Sequence, residues 1–391
     1  MLKCASVHTY EIDDAKMAFD NIRSQLEEKI TLLANTVGII MCHPDFIGSG
    51  ALKYVCENLP FDLVGVTTSS QAVNDEAGEF ILTVFVMTSD DIIFKTGVTG
   101  ELTECIETPV KEAYEKVSAD VSGSPGLALI FPPIVLEYSG DAYVYAWQKV
   151  IPNTPIFGTL SVDDTATFDT NEAIYNGKSY KNAIPFVLCY GNINPRFIIG
   201  TFPEGNVMPF KGEVTKSDGA YVHEVNNMNA YKYFETIGFA SHGIINANYL
   251  FVPFIIDQKK RADYDGIPVV RVIASFTEEG SAIFHGDVDE GSTFTILKCE
   301  FDDLITTTQQ TVKQINNLSD VNGVLLFPCI VRRVLAMRVN SLMELETVKE
   351  TIKPDIPFMM GYAGGEICPT LIKDGVPTNR YHNYSLVVLV I

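Results

Sequence analysis

Val324-Leu-Leu-Phe-Pro-Cys329, followed after a helix by Pro357-Phe-Met-Met-Gly-Tyr362, decides the fold. The first segment is a short apolar run without polar interruption, the pattern of a strand buried on both faces. Between the two, Leu342, Leu345, Val348 and Ile352 fall on one face of a helix. Ser341, with Glu344 three residues on, reads as its capping box. The second segment closes a β-α-β unit. Gly361 at its end lets backbone or ligand approach closely.

Outward from this unit, the same pattern occurs twice more. Val37-Gly-Ile-Ile-Met-Cys42 precedes a helix carrying Leu52, Val55, Cys56 and Leu59, then a strand with Gly65. Leu127-Ala-Leu-Ile-Phe-Pro-Pro133 precedes a helix around Tyr143 and Trp147, then a strand with Gly158. A longer order, strand, helix, strand, helix, strand, hairpin, reads as used twice. One copy starts at Thr96-Gly-Val-Thr-Gly100 and the other at His285-Gly-Asp-Val-Asp-Glu-Gly291 ahead of a helix with Leu304, Thr308, Val312 and Ile315. Asn176-Gly177 and Asp374-Gly375 supply the two hairpin turns. Phe19, Ile22, Leu26, Ile30 and Leu33 predict an amphipathic helix over 14–34, capped by Asp13 or Asp14. The Pro- and Gly-containing stretch 192–218 marks a boundary. The expected architecture is mixed α/β, with two related halves, each a mixed sheet flanked by helices. The expected segments are an N-terminal helix at 1–34 and domains at 35–225 and 226–391.

The 391 residues carry 28 Lys and Arg against 49 Asp and Glu, a net charge of −21. That field repels a phosphate backbone, so nucleic acid and anionic membranes are not expected partners. Lys259, Lys260 and Arg261 could form a local basic patch, but an exposed turn explains them better. No secretory leader is visible, and no stretch is long and apolar enough to span a bilayer. The eight cysteines form no CxxC pair, and several sit in apolar strands. Buried reduced thiols and a cytoplasmic location are the expectation.

The C-terminal region gathers the polar chemistry. Cys329, Arg332 and Arg333 follow one strand; Tyr362, Gly364, Gly365 and Glu366 follow another; His382 and Asn383 come later. Arg332 or Arg333 could grip a carboxylate through a planar fork; the alternative is an internal ion pair to Glu366. Glu366 could hold an ammonium group, with the same ion pair as its alternative. Gly364 and Gly365 could present N–H groups to an anion or simply form a tight turn. His382 and Asn383 could donate to a ligand or bridge strand and loop. His43 and Asp45 read as a surface turn, and Asp287, Asp289 and Glu290 as a solvated one. No phosphate-binding, nucleophile-elbow or zinc-protease motif is present.

These motifs resemble the FIST family, a bacterial and archaeal sensory module with paired N- and C-terminal domains. The match runs through Cys329, Arg332, Gly361, Tyr362, Gly365, Glu366, Ile367, His382, Asn383, Ser385 and Leu386. Val64-Gly-Val-Thr-Thr68, Pro155-Ile-Phe-Gly-Thr159 and Val214-Thr-Lys-Ser-Asp-Gly219 occupy comparable places in the N-terminal part. The resemblance implies intracellular signalling in response to small ligands such as amino acids. Many members are fused to output domains; here a separate signalling protein, such as a histidine kinase or cyclic-nucleotide enzyme, is the expected partner. No cofactor is expected. Some members are described as haem-based nitric-oxide sensors, which makes a haem ligated by His382 or His223 the alternative. A second alternative is a cysteine hydrolase, with Cys329 as nucleophile, His382 as base and Asn383 or Glu366 orienting it.

Overall fold

The computed structural model describes all residues except 1, 136–137, 166, 202–206, 247–248, 250–251, 260–264 and 338. Lys260 and Arg261 of the basic stretch lie outside the described residues.

The chain is mixed α/β, as expected, and its repeat is threefold at the level of the unit. The first unit runs β1 (Leu2–Thr9), α1 (Ala15–Lys29), β2 (Asn35–Cys42), α2 (Asp45–Gly48), α3 (Ala51–Asn58), β3 (Asp62–Thr67), β4 (Ser70–Val73), β5 (Ala77–Glu79) and β6 (Leu82–Ser89). The second runs β7 (Ile93–Val98), α4 (Glu107–Ser118), β8 (Leu127–Ile130), α5 (Gly140–Val150), β9 (Ile156–Thr159), β10 (Ala173–Tyr175), β11 (Lys178–Tyr180) and β12 (Pro185–Tyr190).

The third unit begins with β13 (Arg196–Gly200) and is then interrupted by an insertion. The insertion comprises β14 (Val207–Asp218), β15 (Tyr221–Val225), β16 (Met228–Asn229), α6 (Ala230–Thr236), β17 (Ala240–Ser241), β18 (Ile244–Ile245), β19 (Pro253–Asp257), β20 (Val269–Phe276), β21 (Ala282–Phe284) and β22 (Thr293–Leu297). The unit resumes with α7 (Phe301–Asn316), β23 (Val324–Pro328), α8 (Ile330–Ala336), α9 (Met343–Thr351), β24 (Phe358–Gly361), β25 (Glu366–Lys373), β26 (Val376–His382) and β27 (Leu386–Val390). In the insertion the order β14-β22-β19-β20-β21-β15 closes on itself through β14–β15, a small barrel around Phe234, Phe254 and Phe294.

Each unit forms a sheet around its parallel pair: β2 with β3, β8 with β9, β23 with β24. The hairpin of each unit does not join its own sheet. β10–β11 of the second unit completes the first sheet, β25–β26 of the third completes the second, and β4–β5 of the first completes the third. The three exchanges close a ring.

Strand alternation explains where the core lies. Val37, Ile39, Met41, Leu127, Leu129, Leu325 and Phe327 point inward and share one core among all three sheets. Ile40 and Cys42, Ala128 and Ile130, and Val324 and Leu326 point outward under helices. Both faces are covered, hence the unbroken apolar runs. A Cβ at Gly65 or Gly158 would strike the carbonyl of Ile40 or Ile130 on the paired strand. At Gly361 it would meet Met41 Sδ, from another sheet, at 2.6 Å.

Three local expectations are corrected. The first helix ends at Lys29, and Ile30 already has extended backbone. Helix α9 starts at Met343, and Ser341 bonds Glu79 Oε1 (3.1 Å) instead of forming a capping box with Glu344. His285–Gly291 belongs to the barrel insertion, and the true counterpart of β7 in the third unit is β13.

Candidate functional site

The loops after the parallel pairs interlock at the C-terminal cluster. Cys329 ends its strand and caps α8; its N–H donates to Ser385 O (3.0 Å), and the N–H of Ala363 donates to Pro328 O (2.8 Å). Arg332, on the first turn of α8, has no exposed surface. Its Nε and Nη2 donate to Glu344 Oε1 at 2.9 and 2.6 Å, and Nη2 also reaches Thr308 Oγ1 at 3.1 Å. Tyr362 Oη donates to the other oxygen of Glu344 at 3.1 Å. Arg333 donates to Glu79 Oε1 at 2.7 Å. Both guanidinium groups therefore serve internal ion pairs, and the partner of Arg332 is Glu344, not Glu366.

Glu366 is also fully buried. Its Oε2 accepts from the N–H and the hydroxyl of Ser385, at 3.1 and 2.9 Å, while its Oε1 meets no donor in hydrogen-bonding geometry. Burial pushes its carboxyl up to about 8. Burial, with Glu366 alongside, holds the Cys329 thiol well above its ordinary range. His382 pairs Nε2 with Cys368 O at 3.0 Å, and burial lowers it to about 4. No hydrogen bond joins His382 to Cys329, so the hydrolase dyad is not assembled and its thiol is not activated. The N–H of Gly364 is spent on Leu160 O (3.0 Å), and a Cβ at Gly365 would collide with the Tyr381 ring. Close packing, not an anion nest, needs these glycines.

His382, Asn383 and Ser385 come together at the floor of a cleft of about 580 Å³. Its walls are Arg196, Phe197 and Ile199 of β13, Val270 of β20, and the outer half of β25. Pseudo-symmetry explains why it opens there. In the first unit, Ser6 of the edge strand bonds Asn74 of the hairpin turn (2.8 Å); in the second, Thr96 meets Tyr175 Oη (3.2 Å). In the third unit β25 is eight residues long, against four for β4 and three for β10, and the barrel packs alongside. Asn383 is 3 % exposed and its Oδ1 has no hydrogen-bond partner.

Beside the floor, Arg271 of β20 joins three elements. It makes two hydrogen bonds to Asp141 of α5 (3.1 and 3.0 Å) and one to Tyr381 O of β26 (3.1 Å). Sequence reasoning missed this residue, although a lone Arg within the apolar run 269–273 was the available signal. It also missed Glu344, hidden by its reading as a capping residue, and the cleft walls.

The N-terminal FIST domain model matches residues 36–228 and the C-terminal FIST domain model residues 228–369. The chain belongs to the FIST family. FIST domains are sensory domains in signal transduction. The FIST N match takes in the first unit from β2 on, the second unit, β13 and the barrel strands β14 and β15, and the FIST C match the rest of the barrel and the third unit as far as the first half of β25. No curated protein matches the chain. Among solved structures it is similar to a cyanuric acid hydrolase, at 9% identity and a TM-score of 0.29, over 76% of this chain and 99% of that one. That likeness is too slight to carry an argument.

His382 has Nε2 engaged, and His223 Nδ1 pairs with Ser281 Oγ (2.8 Å) outside the cleft lining. No group of three or more metal-ligating side chains occurs among the described residues, and no described helix is long and apolar enough to cross a membrane.

Proposed function

We propose that this FIST protein senses a small polar metabolite, an amino acid or a related compound, in the cleft between β13, β20 and β25. The observation that carries the reading is Asn383 Oδ1, a buried acceptor without a partner on the floor of that cleft. A buried polar atom left unpaired costs about 1–3 kcal/mol, and a ligand donor recovers it. The cleft volume is in the range of small-molecule sites. Of the nine residues singled out from the sequence, His382 and Asn383 line the cleft directly. Cys329 and Glu366 bond Ser385 of the floor, and Arg332 reaches Tyr384 O (3.5 Å), while Arg333, Tyr362, Gly364 and Gly365 are not among the lining residues.

The bound state passes to a separate signalling protein, such as a histidine kinase or a cyclic-nucleotide enzyme. A charge of −21 suits a partner with a basic docking face, and such contacts weaken with salt. Thermal-shift screening of metabolites tests the ligand. At a hundred times its dissociation constant a ligand adds about 2.7 kcal/mol. Thr370→Trp, which fills the cleft, should abolish the shift. A pull-down at low and moderate salt, with and without the stabilising metabolite, tests the partner. Turnover of a substrate with no signalling partner captured would defeat the sensor reading.

A further inference from the structure

Arg271 belongs to a strand of the barrel, yet its side chain has no exposed surface. Its three nitrogens make five hydrogen bonds, as many as a guanidinium has N–H groups. Nε donates to Asp287 O (3.2 Å) and Nη1 to Val270 O (3.0 Å) and Tyr381 O (3.1 Å). Nη2 donates to both carboxylate oxygens of Asp141 (3.1 and 3.0 Å). Asp141 also accepts from the N–H of Asp287 (2.8 Å). The surroundings leave room for this group. Gly286 has a φ of +123°, and a Cβ there would meet Nε at 2.6 Å. A Cβ at Gly140, next to Asp141, would strike the Tyr381 ring.

Three parts of the chain meet on this one side chain. Asp141 is buried in the first turn of α5, in the second unit. Val270 is a wall of the cleft, and Tyr381 immediately precedes His382 on its floor. Nη1 therefore spans wall and floor, while Nη2 fastens both to α5. Neither Arg271, Asp141 nor Tyr381 lines the cleft itself. The barrel is an insertion, so the spacing between its strand β20 and the floor strand β26 is set by contacts across the junction and not by the chain. A planar guanidinium holding two carbonyls on one nitrogen fixes that spacing more narrowly than a flexible ammonium.

Resting on the cleft reading above, we infer that Arg271 is a positioning residue of the cleft: it sets wall against floor and ties that spacing to Asp141. The second unit, none of whose residues lines the cleft, thereby governs ligand affinity in it. A change of wall-to-floor spacing on binding is carried to α5 through the same five hydrogen bonds.

The test uses the full chain and two variants, Arg271→Lys and Asp141→Asn. Arg271→Lys keeps a cation for Asp141 but gives up the planar fork. Hydrogen exchange, read by mass spectrometry without ligand, reports the junction directly. Exchange should be at least several-fold faster in β20 and β26 of both variants and unchanged in the first sheet. Leucine at millimolar concentration is the binding probe, read by calorimetry. Its dissociation constant should rise roughly tenfold in both variants, an ordinary coupling between sites. Wild-type exchange in β20 and β26 of Arg271→Lys would show that the charge alone suffices and overturn the positioning role. Faster exchange in all three sheets alike would make Arg271 a general structural residue and overturn it too, as would unchanged leucine affinity in both variants. If leucine does not bind the wild-type protein, the amino-acid reading of the cleft fails, and the exchange pattern alone decides for or against Arg271.

Discussion

Arg332 and Glu344 are fully buried and meet through two hydrogen bonds onto one carboxylate oxygen, Nη2 at 2.6 Å and Nε at 2.9 Å. Removing one partner leaves the other charged in a dry interior. Arg332→Ala or Glu344→Ala should each cost roughly 3–5 kcal/mol. Urea unfolding of the single and double variants measures this, and the double variant should lose less than the sum. Near-native stability in Arg332→Ala would contradict the assigned pair.

Glu366 gives the protein a pH signature. Its folded value of about 8 lies above its ordinary 4.5, so the folded state holds the proton longer than the unfolded chain. Stability therefore falls as pH rises through that window. His382, lowered to about 4, acts with the opposite sign below its ordinary 6.5. Asp287, raised to about 6 by burial and Asp141, acts with the same sign as Glu366, and most of its effect lies below pH 6.5. Between pH 6.5 and 8, Glu366 should lower stability by about 2 kcal/mol. Glu366→Gln should flatten that decline. Melting curves at pH 6.5 and 8 decide it, and an unchanged slope in the variant would contradict the buried neutral carboxyl.

Thiol reactivity should single out Cys105. It is the exposed cysteine, and a hydrogen bond from Thr108 lowers its thiol. Burial raises Cys42, Cys56, Cys189, Cys329 and Cys368. An aromatic disulfide reagent should therefore react first at Cys105 in the native protein, and at Cys329 only after unfolding. Fast labelling of Cys329, mapped by mass spectrometry, would reinstate a reactive thiol.

Haem added to the purified protein should keep the absorbance of free haem, because His382 Nε2 is bonded to Cys368 O in a buried site. A shifted Soret maximum that disappears in His382→Ala would reverse this conclusion.

The three β-α-β units were legible because each parallel pair is covered on both faces and writes an unbroken apolar run. The turns Asn176-Gly177 and Asp374-Gly375 were legible because their positive φ angles call for Asn, Asp and Gly. The third hairpin was not: Asn74 and Asp75 turn between Val73 and Glu76 without a glycine. Nor was the insertion. It separates β13 from α7, so the strand before α7 was sought at His285, where the barrel turns from β21 towards β22. Partner choice inside the site lay beyond sequence as well. Glu344 and Glu366 are chemically alike on paper, and only the packing of α9 against α8 brings Glu344 to Arg332.

The cyclic exchange of hairpins bears on how this chain reaches its native state. β9 has no outer neighbour in the second sheet until β25 arrives, and β27 must slide between β13 and β23 as an interior strand of the third. Those pairings span from about sixty residues to two hundred, the kind of distant contact that makes folding slow. A cut at residue 228, where the two family domains meet, would leave an open sheet edge on the first fragment. It would also take from the third sheet the strands β4, β5 and β13. The two pieces should be poorly soluble apart and should recombine when refolded together, since each carries the strands the other lacks.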